Sequence, residues 1–173
     1  MRIKVLFTLS FCLIINLSQA QNKKLDVVIG YGLPDLVHIG FNLQLSEVNK
    51  IGLNFGNSFN HSRKSSITLD HKLAILKNTN AASLSTWFIG QRFTYTHLYQ
   101  MNSKWKVLYF TPALGRTFSV NKNMGFNLDA GIFLWLWKKE TKIINGNTCN
   151  CDEHKREYDV LPSARLQIFY RIN

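Results

Sequence analysis

The chain lacks any apolar run long enough to cross a bilayer as a helix, which takes about 20 residues. Its longest, Val5 to Leu17, has 13 residues. Beyond it no stretch carries the 3.6-residue period of an amphipathic helix over a useful length, which leaves a helical fold without support. Acidic residues are scarce, ten Asp and Glu against 21 Lys and Arg, and only four of them are glutamates. Cysteine is scarcer still: apart from Cys12 there are only Cys149 and Cys151, two positions apart in one polar segment. The basic excess has no stripe of cations interleaved with aromatics, so no nucleic-acid partner is expected.

The first apolar run reads as an export signal. Arg2 and Lys4 precede it, and Ser18-Gln19-Ala20 follows with small residues at the positions a signal peptidase reads. Cleavage is predicted after Ala20, giving a signal peptide over 1–20 and one domain over 21–173. Phe11 argues against lipidation at Cys12, where a small preceding residue is needed. Removing Arg2 and Lys4 leaves 19 bases against ten acids, a net charge of +9. Most of the lysines and all the glutamates fall between or at the ends of the patterned stretches described next.

That pattern is strict alternation. Leu25, Val27, Ile29, Tyr31 and Leu33 alternate with smaller or more polar residues, and Val37, Ile39, Phe41, Leu43 and Leu45 repeat the beat. A period of two is that of a β-strand with unlike faces. Eight strands are predicted, at about 25–33, 36–46, 50–57, 65–76, 85–99, 105–120, 124–137 and 160–172. Pro112 and Arg116, the latter on the parity of the apolar face, predict a bulge in the sixth. The segment at Pro34 is open to a helical turn.

Alternation does not say which face is inside. A soluble lipocalin-like barrel puts the apolar face around a ligand pocket; a membrane barrel turns it to lipid and keeps a polar lumen. Here the second face holds Gly30, Gly40, Asn42, Asn54, Thr68, Gly90, Thr94, Thr111, Gly131 and Ser163 rather than long charged side chains. These small residues suit a crowded lumen. The apolar face carries Tyr31, Trp87 and Tyr99, rings of the kind that settle at membrane interfaces. With both termini on one side, the second and sixth connections are tight while the third and seventh are long and polar. The reading is therefore all-β: an eight-stranded antiparallel up-and-down transmembrane β-barrel with a polar filled lumen.

Charges caught inside need partners, because burying one alone is costly. Parity and height predict three pairs, Asp26 with Arg171, Asp70 with Arg92, and Asp129 with Arg165. Lys72, His38 and Gln167 are expected to fill the remaining hydrogen-bonding needs. Such a lumen would not conduct.

With these residues in view, the chain resembles the small eight-stranded outer-membrane barrels of OmpA/OmpX architecture, and within them the compact barrels of Bacteroidota-type envelopes. The resemblance lies in the signal ending Ser18-Gln19-Ala20-Gln21, the Gly30-Tyr31-Gly32-Leu33-Pro34-Asp35-Leu36 opening, Leu114-Gly115-Arg116 before the turn Asn121-Lys122-Asn123, and the closing strand from Leu161 to Ile172. It implies the outer membrane of a Gram-negative-type cell, contact with outer-membrane lipid, and folding by a barrel-insertion machinery that reads the last strand. Ending on Ile172-Asn173 departs from the usual terminal aromatic.

Chemistry is weakly signalled. Cys149, Cys151, Asp152, Glu153 and His154 offer metal-ligand types but match no standard zinc spacing, so no metal is assigned; the two thiols are either bonded across one residue or reactive. His61, Ser62, Ser65, Ser66, His97 and His154 supply the types for a lipid-modifying hydrolase without forming a motif, so no catalytic residue is assigned. No cofactor is expected. The expected role is structural or surface-interacting, through outward segments 57–66 and 138–159; the alternatives are a lipid-modifying outer-membrane enzyme and a small-ligand-binding lipocalin-like barrel.

Overall fold

Alternating segments become strands because each buries one face and pairs its backbone along both edges. In the computed structural model, which describes residues 24–33, 36–58, 63–77, 85–100, 103–144, 147–150 and 160–172, nine strands form. They are β1 (Leu25–Gly32), β2 (Leu36–Gln44), β3 (Asn49–Ser58), β4 (Arg63–Lys77), β5 (Ser85–Gln100), β6 (Ser103–Ser119), β7 (Met124–Ile144), β8 (Asn147–Asn150) and β9 (Leu161–Ile172). Strands adjacent in the chain pair antiparallel from β1 to β8, and β9 pairs antiparallel with both β7 and β1. That closes an eight-stranded barrel. The ninth strand, β8, pairs only with the end of β7. The expected signal segment lies outside the described residues.

Parity decides the faces as the small-residue argument requires. Val28, His38, Asn54, Thr94, Arg92 and Gln167 are buried, whereas Ile29 is 53% exposed, Phe41 51%, Leu114 51% and Leu128 52%. The protein thus hides its charges and displays its hydrocarbon over a continuous belt. A soluble barrel with an apolar pocket has the opposite arrangement. No helix among the described residues is long and apolar enough to cross a membrane.

The sixth strand differs from the sequence expectation. Toward β5 it runs unbroken, with Gln91 opposite Pro112 and Trp87 opposite Arg116. Its irregularities are on the β7 side: the register shifts between Leu108 and Tyr109, and the ladder passes from Phe110 with Leu134 to Ala113 with Gly131. Proline, lacking an N–H, interrupts one edge of a strand and leaves the other paired. Arg116 stays on the outward parity, its guanidinium 5.4 Å from the Trp87 ring centroid and 4.9 Å from that of Phe118, so it needs no bulge. Around Pro34 the described flanks form a hairpin whose return residue, Leu36, has φ of 58°. Pro34 itself, where the sequence leaves a helical turn open, lies outside the described residues.

The larger surprise is β7, expected to stop near Trp137 but continuing to Ile144. Pairing with β9 ends at Phe133, and beyond it the strand is held by β6 on one side and the short β8 on the other. A wall of β5, β6, β7 and β8 therefore rises above the closed barrel at the end away from the termini. There the run Lys138, Lys139, Glu140, Thr141 and Lys142 is polar throughout, so hydropathy no longer alternates and the strand signal vanishes.

Crowding inside gives a direct test of the lumen. A Cβ on Gly131 would run into the Pro112 carbonyl oxygen, which is backbone and has nowhere to go. At Gly90 the nearest atoms are 3.7 Å away, ordinary contact. Gly131→Leu is therefore expected to abolish the folded, heat-modifiable gel band. Gly90→Ala should keep it, with a stability change of about 1 kcal/mol or less, far below the ~1–3 kcal/mol typical of overpacking. Equal behaviour of the two variants would contradict the packing described here.

Candidate functional site

Five ionic side chains from four strands meet in mid-lumen. Arg165 on β9 donates from Nη2 to Asp70 Oδ2 on β4 at 2.7 Å and from Nε to Asp129 Oδ2 on β7 at 3.2 Å. Arg92 on β5 lies 2.9 Å from Asp129 Oδ1 and donates to Ser163 Oγ at 3.2 Å; that hydroxyl donates to the Leu33 carbonyl at 2.7 Å. Lys72 Nζ is 3.6 Å from Asp70 Oδ2 and donates to Gln167 Oε1 at 2.8 Å. Gln167 in turn donates from Nε2 to His38 Nε2 at 3.0 Å, which places the imidazole proton on Nδ1, 3.2 Å from the Leu36 carbonyl oxygen. β4 and β9 are four strands apart in either direction round the barrel. The Asp70–Arg165 and Lys72–Gln167 contacts therefore span the full width of the lumen and close it.

A second cluster lies at the end where the chain termini meet. Arg171 donates from Nε to Asp26 Oδ1 at 2.8 Å, and Lys50 donates to Asp26 Oδ2 at 3.1 Å. Asp26 and Arg171 are register partners across the β1–β9 seam.

The structure thus brings together Asp26 with Arg171 and Asp129 with Arg165, as the parity argument places them. Asp70 and Arg92 are register partners too. Yet Arg92 reaches Asp129 and Asp70 is reached by Arg165, so acids and bases are shared in one cluster rather than sorted into three separate pairs. Arginine is long enough to cross a narrow lumen, and counting along strands sees only the adjacent wall. Lys50 was missed because it stands at a strand start, where lysines are usually solvated; its inward parity with Gly52 and Asn54 was the available signal.

The rings expected at interfaces are all exposed: Tyr31 62%, Trp87 38%, Tyr99 42%. Tyr31 and Tyr99 sit toward the far ends of β1 and β5, and Trp87 at the near end of β5 with Arg116 over it. On the inner face of the raised wall, Lys138 Nζ lies 4.2 Å from the centroid of Trp105 and 4.9 Å from that of Trp135. Neither tryptophan had been singled out.

The remaining candidates do not assemble. Cys149 lies on β8, its side chain not described, and Cys151, Asp152, Glu153 and His154 lie outside the described residues, as do His61 and Ser62. Ser66 faces the lumen. Ser65 and His97 are register partners on the outer face, but His97 has Lys106 opposite on β6 and lies tilted against the Tyr99 ring, with centroids 4.4 Å apart. No carboxylate joins them among the described contacts, so a base-orienting third group is missing from this arrangement.

No protein-family model and no curated protein matches the chain. Among solved structures it is similar to a major outer membrane protein from Thermus thermophilus, with 11% identity over 88% of this chain and 100% of that one and a TM-score of 0.59. It also aligns with Acinetobacter baumannii CarO (12% identity, 85% and 96% covered, TM-score 0.41) and with Neisserial surface protein A (11%, 87% and 94%, TM-score 0.41). The chain has the closed eight-stranded antiparallel barrel fold of a solved outer-membrane protein.

Proposed function

We propose that the protein is a non-conducting outer-membrane barrel of a Gram-negative-type cell, exported by a cleaved signal peptide and inserted by the barrel-assembly machinery, that serves as a structural anchor for outward surface segments. One observation carries this reading: the exposed apolar belt surrounds a lumen bridged wall to wall by Asp70–Arg165 and Lys72–Gln167. A barrel so closed at mid-height offers no water-filled path from end to end, and eight strands leave an interior narrow enough for side chains to bridge. What such a protein can present is its outward rim, where β3 ends, β4 begins, and β7 and β8 rise; the segments 57–66 and 138–159 are the proposed contact surfaces. Neither a lipid-modifying activity nor an apolar-ligand pocket has a comparable observation in its favour.

Cell fractionation and single-channel recording test the reading together. The protein should fractionate with the outer membrane, shift its gel mobility on heating, and show no unitary conductance above the bare planar bilayer. Removing both cross-lumen bridges, with Arg165→Ala and Lys72→Ala in one chain, is the variant expected to leak if it folds. Steady conductance by the native chain, or its recovery as soluble protein, would overturn the proposal.

A further inference from the structure

We propose that the near end of the lumen is a binding site for a small oxyanion of the phosphate or phosphate-monoester class. Three observations converge there. Among the described residues the lumen holds five cations, Lys50, Lys72, Arg92, Arg165 and Arg171, against the three carboxylates of Asp26, Asp70 and Asp129, an excess of two positive charges. Below the cross-lumen bridges lies a cavity of about 330 Å³, within the size range of small-ligand sites. Lys50, Lys72 and Arg171 all line it.

The donors are arranged to receive an anion. An ammonium carries three N–H groups. Lys50 uses one on Asp26, and Lys72 uses one on Gln167 and turns a second toward Asp70 at 3.6 Å, which leaves each with at least one donor for a ligand in the cavity they line. Thr117 donates to Asn127 Oδ1 at 2.7 Å, so the face that Asn127 offers a ligand is its amide nitrogen, a pure donor. Lys24 and Glu47, also on the lining, offset each other in charge at the rim. Among the described residues the near end therefore stays cationic, with Lys50 and Arg171 set against Asp26 alone, and a bound anion would offset that charge. The site is blind: the ion cluster above it blocks passage, so it is a place to hold an anion rather than conduct one. It does not depend on the surface role proposed above, since it uses none of the outward segments.

The test is an NMR titration of the full chain in phosphatidylcholine nanodiscs at constant ionic strength, following the amides of Thr117, Ser119 and Asn127. Inorganic phosphate should produce saturable shifts that equal concentrations of chloride do not. Lys50→Gln should weaken binding about tenfold, the size expected for losing one charge-assisted hydrogen bond. Thr117→Val, which stands outside every ion pair, should weaken it by a smaller factor and keeps the test informative if Lys50→Gln fails to fold. Glycerol 1-phosphate is the second probe. If it binds more tightly than inorganic phosphate the natural ligand is a lipid headgroup or its fragment; if not, it is free phosphate. Shifts that do not saturate, that chloride reproduces, or that survive unchanged in every folded variant would overturn the site.

Discussion

Replacing Asp129 by Ala is expected to destabilise the folded barrel by about 3–5 kcal/mol, the usual cost of stranding a buried partner charge. Asp129 receives both Arg165 at 3.2 Å and Arg92 at 2.9 Å, and all three are almost wholly buried. Removing the carboxylate leaves two buried guanidiniums with Asp70 as the nearby acid among the described residues. Asp129→Asn keeps an acceptor without the charge and should cost less. Urea unfolding of the refolded protein in lipid vesicles measures both. Adding Arg92→Ala to Asp129→Ala should recover part of the loss, because the double variant buries one fewer orphan charge. A loss under about 1 kcal/mol for Asp129→Ala would mean that these charges are hydrated and that the lumen is not the closed network described.

Leu128→Arg should cost about 2–4 kcal/mol, provided that outward positions meet lipid at mid-depth. Leu128 stands on β7 next to Asp129, 52% exposed on the belt, with Leu166 opposite on β9 and Arg116 opposite on β6. Depth supplies the control. Met124, four residues nearer the strand start and also exposed, should accept arginine at a cost of about 0–1 kcal/mol, since there the cation reaches the interface. On a water-exposed surface the two substitutions would cost nearly the same. Equal values would therefore contradict the membrane assignment even with the fold intact.

How much of this was legible in the sequence follows from where two solvents meet the chain. Within the belt one face sees hydrocarbon and the other a packed polar lumen, so alternation is sharp and the strand ends fall within a residue or two of expectation in β1, β2, β3 and β9. Inward charge was equally legible, because at Asp26, Asp70, Arg92, Asp129, Arg165 and Arg171 parity alone settles the face. What parity cannot supply is the reach of a long side chain across the barrel, which is why Arg92 and Asp70 take partners on distant walls. Past the pairing with β9 the signal ends. Lys138 to Ile144 reads as a polar loop and forms strand, because β6 beside it offers a free edge to pair with. Lys50 marks the same boundary from the other end: a terminal lysine reads as solvated until the barrel closes and brings Asp26 to it at 3.1 Å.

The central claim is that hydrocarbon lies outside this barrel and charge inside it, and paramagnetic relaxation in a bilayer reads that directly. With the protein in nanodiscs carrying lipids spin-labelled near the chain end, methyl signals of Leu128, Leu166 and Ile168 should broaden strongly, while those of Val28, Val107 and Ala113, buried within the barrel, should stay sharp. Broadening of Val28 and Ala113 by the lipid label, or of Leu128 and Ile168 by a water-soluble one instead, would contradict the account.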